Sequence, residues 1–265
     1  RPWKPPARNT IRNEIVTANM VLKTAQRHGK LEFLPNLFDP YRRQSKIEHR
    51  PWFTRKEYQQ FYTATRENAA SPKSERYRWH AEQLHDYVLF MANTGLRPDE
   101  AKQLEFRDVE IVVVDWSGER ILEIEVRGKR GTGYCKSMPG AVRPFERLLA
   151  RERPVAVTPE GEEAQSVPKR GPEPEDLLFP NDFKKMFNRI LVDKKLKFDR
   201  NGKARTAYSL RHFYICFRLL EGADIYQIAK NCRTSVEMIE KHYAAHLKDM
   251  IDTSLVNVRN EKSKK

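Results

Sequence analysis

Thr94-Gly95-Leu96-Arg97-Pro98-Asp99-Glu100-Ala101 closes one helix and opens another. Upstream of it, Tyr77, Ala81, Leu84, Val88 and Met91 step by four and three residues, the spacing of a helix with one apolar face. Gly95 supplies the stop, and Pro98 suits the first position of a new helix because that position needs no backbone donor. Arg97 falls at the junction, where helix amides and a guanidinium can converge on an anion. A surface arginine at a helix start is the plainer reading of the same residue.

Working outward, Thr54 and Glu57 form a capping box, with Phe53 and Tyr58 placed as a hydrophobic staple, which predicts a helix from there to about residue 67. Before it, Ile11, Ile15, Ala18, Leu22 and Ala25 predict a single amphipathic helix stopped by Gly29. One helix cannot bury a core by itself, so residues 1–49 read as the end of a helical domain plus a linker, and residues 50–265 as the main domain with a tail. Beyond the junction, strands are predicted at about 109–114, 121–126 and 134–138, with turns at Ser117-Gly118 and across Gly128 to Gly133. Helices follow at about 142–152, 182–195, 209–221, 224–231 and 235–246, and the stretch 158–175, rich in Pro, Glu and Gly, reads as an exposed loop. The fold class is mainly α with a small antiparallel β-sheet (α+β).

The chain has 265 residues, and its 50 Lys and Arg against 36 Asp and Glu give a formal net charge of +14. Residues 1–50 hold eleven of those cations and four acids, about half of the excess. A polyanion is the partner class this implies. No apolar run approaches the length of a membrane span and no secretory leader is read at the start, so a reducing cytoplasmic setting is expected. The three cysteines, Cys135, Cys216 and Cys232, are far apart and form no C-x-x-C pair, which supports neither a disulfide framework nor a zinc ribbon. The chain opens on Arg1 rather than Met, as expected of a piece of a longer protein.

Two later clusters carry chemistry. Tyr208-Ser209-Leu210-Arg211-His212 opens a helix, with Ser209 read as its N-cap and Arg211 in the first turn, within reach of an anion at the helix amides. His212, beside the apolar stripe of Leu210, Phe213, Phe217 and Leu220, reads as a hydrogen-bonded core residue more readily than as a catalyst. Thr234 and Glu237 form another capping box, and Val236, Ile239, Tyr243 and Leu247 share one side of the helix it starts. Tyr243 is then either core or a nucleophile, and the second role needs cationic neighbours, because a phenol titrates near 10.

Taken together, Thr-Gly-Leu-Arg-x-x-Glu-Ala, a glycine-flanked lysine in Arg127-Gly128-Lys129-Arg130-Gly131, the Leu-Arg-His run and a tyrosine followed by Ala-Ala-His closely resemble the tyrosine recombinases, the phage-integrase family. The match in order and spacing covers roughly residues 54–250, and the helix at 10–29 resembles the end of that family's core-binding domain. The resemblance implies site-specific DNA cleavage and rejoining through a 3′-phosphotyrosine, without ATP, metal or cofactor. It makes Tyr243 the nucleophile, Arg97 and Arg211 the holders of the nonbridging phosphate oxygens, and Lys129 the general acid for the leaving 5′-oxygen, with Arg130 and Lys136 as rivals. The implied partner is double-stranded DNA, bound by a tetramer on paired sites through the basic arm, the hairpin and a tail that packs on a neighbour. The implied location is the nucleoid.

Two positions depart from the family pattern. Tyr208 stands where many members have His, and Thr234 stands nine residues before the nucleophile, where many have His or Trp. Neither is a base tuned near neutrality. His242 and His246 are close in sequence, but His242 projects about 100° from Tyr243 on an ideal helix and His246 fits packing or capping better. Slow cleavage is therefore expected. A DNA-binding accessory protein that has lost cleavage, and a topoisomerase-like activity with the same chemistry, are the competing readings.

Overall fold

The computed structural model describes residues 6–37, 50–72, 77–128, 131–154 and 169–243. The chain divides into two compact units, Arg1–Ile47 and Glu48–Lys265. In the first, α1 (Arg8–Arg27) carries the expected four-three pattern and buries none of its residues. It ends as the glycine stop requires: Gly29, at φ +67°, donates to the Gln26 carbonyl and Lys30 to that of Ala25.

In the second unit the capping box is formed: Glu57 N–H donates to Thr54 Oγ1 at 3.3 Å and Thr54 N–H to Glu57 Oε2 at 2.9 Å, starting α2 (Arg55–Ala70). The staple expected between Phe53 and Tyr58 gives way to two stacks, Phe53 on Phe61 and Tyr58 on Phe213, because both rings turn further into the core. Glu57 also accepts Arg205 Nη2 at 2.8 and 2.9 Å, and the Arg205 guanidinium lies 5.0 Å from the centre of the Phe53 ring. The helix start is thereby tied to a segment almost 150 residues away in sequence.

The middle of this unit is α3 (Arg78–Thr94), whose Ala81, Leu84, Val88 and Met91 are completely buried. Against it pack α2, α5 (Val142–Ala150) and α7 (Tyr208–Leu220). Asp86, also fully buried, accepts hydrogen bonds from Arg147 and from Arg151. After the one-turn α4 (Pro98–Ala101) the chain enters an antiparallel sheet of β1 (Val109–Val113), β2 (Arg120–Gly128) and β3 (Gly131–Lys136), in that order. Leu122, Ile124, Val126 and Cys135 alternate on its buried face. The remaining elements are β4 (Arg153–Pro154), β5 (Lys169–Arg170), α6 (Lys184–Asp193), α8 (Ile225–Asn231) and α9 (Val236–His242). No helix among the described residues is long and apolar enough to cross a membrane.

The α+β class holds, and the differences from expectation are local. The glycine turn shrinks, since Gly128 pairs with Gly131 inside the ladder and leaves two residues between the strands. The expected loop 158–175 contains β5, which pairs with β4; its residues up to 168 lie outside those described. Ser209 does not cap α7, because the helix starts one residue earlier and the Ser209 hydroxyl accepts instead from Thr206 N–H at 3.1 Å. Ser235, not Thr234, caps α9, its hydroxyl accepting from Met238 N–H, since the Thr234 amide is already used to close α8. That helix also stops at His242 rather than near 246, with Tyr243 at φ −129° and ψ −63°.

Candidate active site

Four helix ends meet at this site, those at Gly95, Arg97, Arg233 and Tyr243. The first is Gly95, in the left-handed region at φ +67°, where a Cβ would lie 2.4 Å from Tyr214 Cδ1. Only glycine fits there, and it aims its carbonyl at Arg211, whose Nη1 donates to it at 2.6 Å. Another is the end of α8, where Arg233 N–H donates to the Lys230 carbonyl and Thr234 N–H to that of Ala229. This glycine-type cap is made here by an arginine at φ +52°. It frees two consecutive carbonyls: Cys232 O accepts from Arg211 Nη2 at 2.6 Å, and Arg233 O accepts from Arg97 Nη2 at 2.8 Å. The two arginines named from the sequence therefore converge on adjacent carbonyls.

Arg97 caps α4 through Glu100, which accepts its backbone N–H at 2.9 Å and its Nη1 at 2.6 Å. Glu100 is buried, and Arg233 Nη1 also lies 3.4 Å from the oxygen that Arg97 Nη1 meets. Arg211 is itself buried, with both ends of its fork on carbonyls.

Tyr243 ends α9 in a small apolar cluster with Ile215, Cys216, Leu219, Ile228 and Ile239, formed by α7, α8 and α9. Its hydroxyl lies 2.7 Å from His212 Nδ1. Burial pushes the phenol up to about 12, against the pull of the Arg211 and Arg50 charges. His212 is pushed down to about 3, first by burial and then by the Arg50 and Arg211 charges and by the neighbouring His242. The pair is neutral at physiological pH, a phenol and an uncharged imidazole sharing one hydrogen bond.

The other residues named from the sequence fall as follows. Tyr208 is the first residue of α7, about a third exposed, its ring 6.0 Å from that of His212. Thr234 is half-buried in the turn between α8 and α9. Lys129 and its rival Arg130 lie outside the described residues, as do His246 and the tail from 247. Lys136 pairs with Glu123 at 3.2 Å on the outer face of the sheet, opposite to the buried Cys135. All three cysteines are buried and free. Sequence reasoning missed Glu100 and Arg233 as members of this cluster, and missed Tyr243 as the partner of His212. The acid was visible as the third residue of the short helix, but nothing in the sequence marks an arginine for a left-handed position.

Sequence comparison finds no matching family model and no matching curated protein. Structural comparison does find similar folds. The Tn1549 transposon integrase in complex with circular intermediate DNA matches with a TM-score of 0.57 at 14% identity, over 96% of this chain and 80% of that one. The XerH site-specific recombinase bound to palindromic difH substrate, a post-cleavage complex, matches with a TM-score of 0.56 at 16% identity over 86% of this chain. The pre-cleavage complex of XerH with difH matches with a TM-score of 0.51 at 17% identity over 80% of this chain. This chain spans 60% and 53% of the length of the two XerH chains. The chain thus has the fold of the site-specific recombinases and integrases that its sequence motifs resemble.

Proposed function

We propose that this chain cleaves and rejoins double-stranded DNA at specific sites by transesterification. The observation that carries the reading is the convergence of Arg97 and Arg211 on adjacent carbonyls, with the Tyr243 hydroxyl bonded to the residue next to Arg211. A scissile phosphate displaces those carbonyls from the two forks, since a charge-assisted bond to a phosphate oxygen is stronger than one to a neutral carbonyl. The Tyr243 oxygen then attacks phosphorus while the bond to the 5′-oxygen breaks, leaving a 3′-phosphotyrosyl link and a 5′-hydroxyl. The phenolic proton passes to His212 Nδ1, and the leaving oxygen takes its proton from Lys129. The phosphate charge offsets the cations that depress His212, so the imidazole becomes a better base as the substrate arrives. This answers the absence of imidazoles at positions 208 and 234. Both arginines face the charge of the pentacoordinate transition state. Attack by a partner strand's 5′-hydroxyl reverses the step; one phosphodiester replaces another, and the scheme calls on neither ATP nor a metal.

In the same reading, residues 1–49 are the end of a second DNA-gripping domain, the working form is a tetramer on paired sites, and the setting is the nucleoid of the cytoplasm. The competing reading, a DNA-binding accessory protein, is favoured by Tyr208 and Thr234 in place of the usual imidazoles. A pool of nicked duplexes incubated with the protein and run on a denaturing gel separates the two. Wild type forms a covalent adduct and Tyr243→Phe forms none, while both bind DNA equally. Equal binding with no adduct from either protein moves the assignment to the accessory role.

A further inference from the structure

Arg233 and Lys195 are the non-glycine residues with positive φ among those described, and only Arg233 lies at the candidate site. The left-handed backbone costs an L residue free energy that glycine avoids, so the side chain must return it through its contacts. Those contacts are specific. The guanidinium crosses the stem of the β2–β3 hairpin: Nη2 donates to the Gly131 carbonyl at 2.9 Å, and Nη1 lies 3.4 Å from Glu100 Oε1. The same Glu100 oxygen accepts from Arg97, and the Arg233 carbonyl accepts from the other end of the Arg97 fork.

The hairpin is shaped to receive this side chain. A Cβ at Gly133 would lie 3.2 Å from Arg233 Nε, and one at Gly128 would lie 3.6 Å from Nη2 and 3.6 Å from Glu100 Cγ. Gly128, Gly131 and Gly133 continue the sheet face that holds Val126 and Cys135, so apolar side chains give way there to a notch filled by a guanidinium. The notch also explains why the glycines pair inside the ladder instead of forming the wide turn that the sequence predicts.

We propose that Arg233 is a positioning residue that clamps the stem of the hairpin, at Gly131, to the Arg97–Glu100 corner, and that the general-acid role proposed for Lys129 depends on this clamp. The catalytic part of this rests on the function proposed above; the clamp itself does not.

The test uses Arg233→Gly, which keeps the left-handed backbone and removes only the side chain. The first readout is trypsin cleavage after Lys129 and Arg130 in the folded protein, followed by mass spectrometry. A clamp predicts cleavage about tenfold faster in the variant at an unchanged melting temperature, and equal rates overturn it. The second is single-turnover cleavage of nicked duplexes whose leaving 5′ atom is either oxygen or bridging sulfur. A thiolate leaves without a proton, so a defect in placing the general acid is confined to the oxygen substrate. Arg233→Gly is expected to lose about 10²-fold on oxygen and almost nothing on sulfur. Equal losses on both overturn the positioning role. If Arg233→Gly loses its cooperative melt, Arg233→Lys, which keeps the charge but not the fork, supplies the same comparisons. If wild type cleaves neither substrate, the function reading fails, and the trypsin rates still decide the clamp.

Discussion

At the scale of single residues, the pair that decides reactivity is His212 with Tyr243. An imidazole held neutral by burial has a consequence for stability that is separate from any chemistry. The folded His212 titrates near 3, against about 6.5 when unfolded, so below 6.5 the unfolded chain binds a proton that the folded one does not. Stability is therefore fully present above 6.5 and falls as pH drops toward the folded value. Between pH 7 and pH 5.5 this one site contributes a loss of about 1 kcal/mol. Urea denaturation at the two pH values should show that loss in wild type and a smaller one in His212→Gln. A loss of the same size in both would remove the burial account of the histidine. The raised phenol, for its part, stays protonated through the neutral range, so an attacking oxygen must hand its proton on during the step.

At the scale of elements, the site is made by helix ends rather than by helix faces. The end of α3 at Gly95, the cap of α4 at Arg97, the end of α8 at Arg233 and the end of α9 at Tyr243 meet within one cluster of hydrogen bonds. Helix ends suit this work because their carbonyls and amides have no helical partners and so can be aimed at side chains. Gly95→Ala tests the arrangement. The new methyl would sit 2.4 Å from the Tyr214 ring on a backbone that disfavours it, and the combined strain and overpacking are expected to cost about 2–4 kcal/mol. Chemical unfolding measures this. Because the Gly95 carbonyl also holds Arg211, the same variant should bind DNA with the basic surface intact yet cleave it poorly.

At the scale of the whole molecule, the net charge of +14 predicts the manner of DNA binding more directly than any single contact does. A duplex of arbitrary sequence should bind with an affinity that falls by about 10³ or more between about 50 and 200 mM salt, as for some six neutralised phosphates. Fluorescence anisotropy across that range checks it, and a flat response would show that the excess cations do not face the DNA. Other charges serve a different purpose: the buried Asp86 with Arg147 and Arg151, and the buried Arg205 with Glu57, form ion pairs that cross-link distant segments. Arg151 and Arg205, turned inward, should be silent in the salt titration.

By itself the sequence determined the helical and strand pattern of the described regions, the capping box at Thr54, the glycine ends at Gly29 and Gly95, and the identity of the arginines that converge. Such features are local, since periodicity, capping and left-handed stops depend on neighbours a few residues away. It misplaced the cap of α7 by two residues and that of α9 by one, and made the hairpin turn too wide; at the hairpin the guanidinium of Arg233, from far along the chain, took precedence over local preference. Only the tertiary structure decided that His212 meets Tyr243, that Glu100 is shared by Arg97 and Arg233, and that a guanidinium fills the notch left by Gly128 and Gly133. Apart from the local Arg97–Glu100 pair, those pairings join residues 31 to 133 positions apart, and their partners are chosen by the packing of whole helices and the cost of leaving a buried charge or donor unmet.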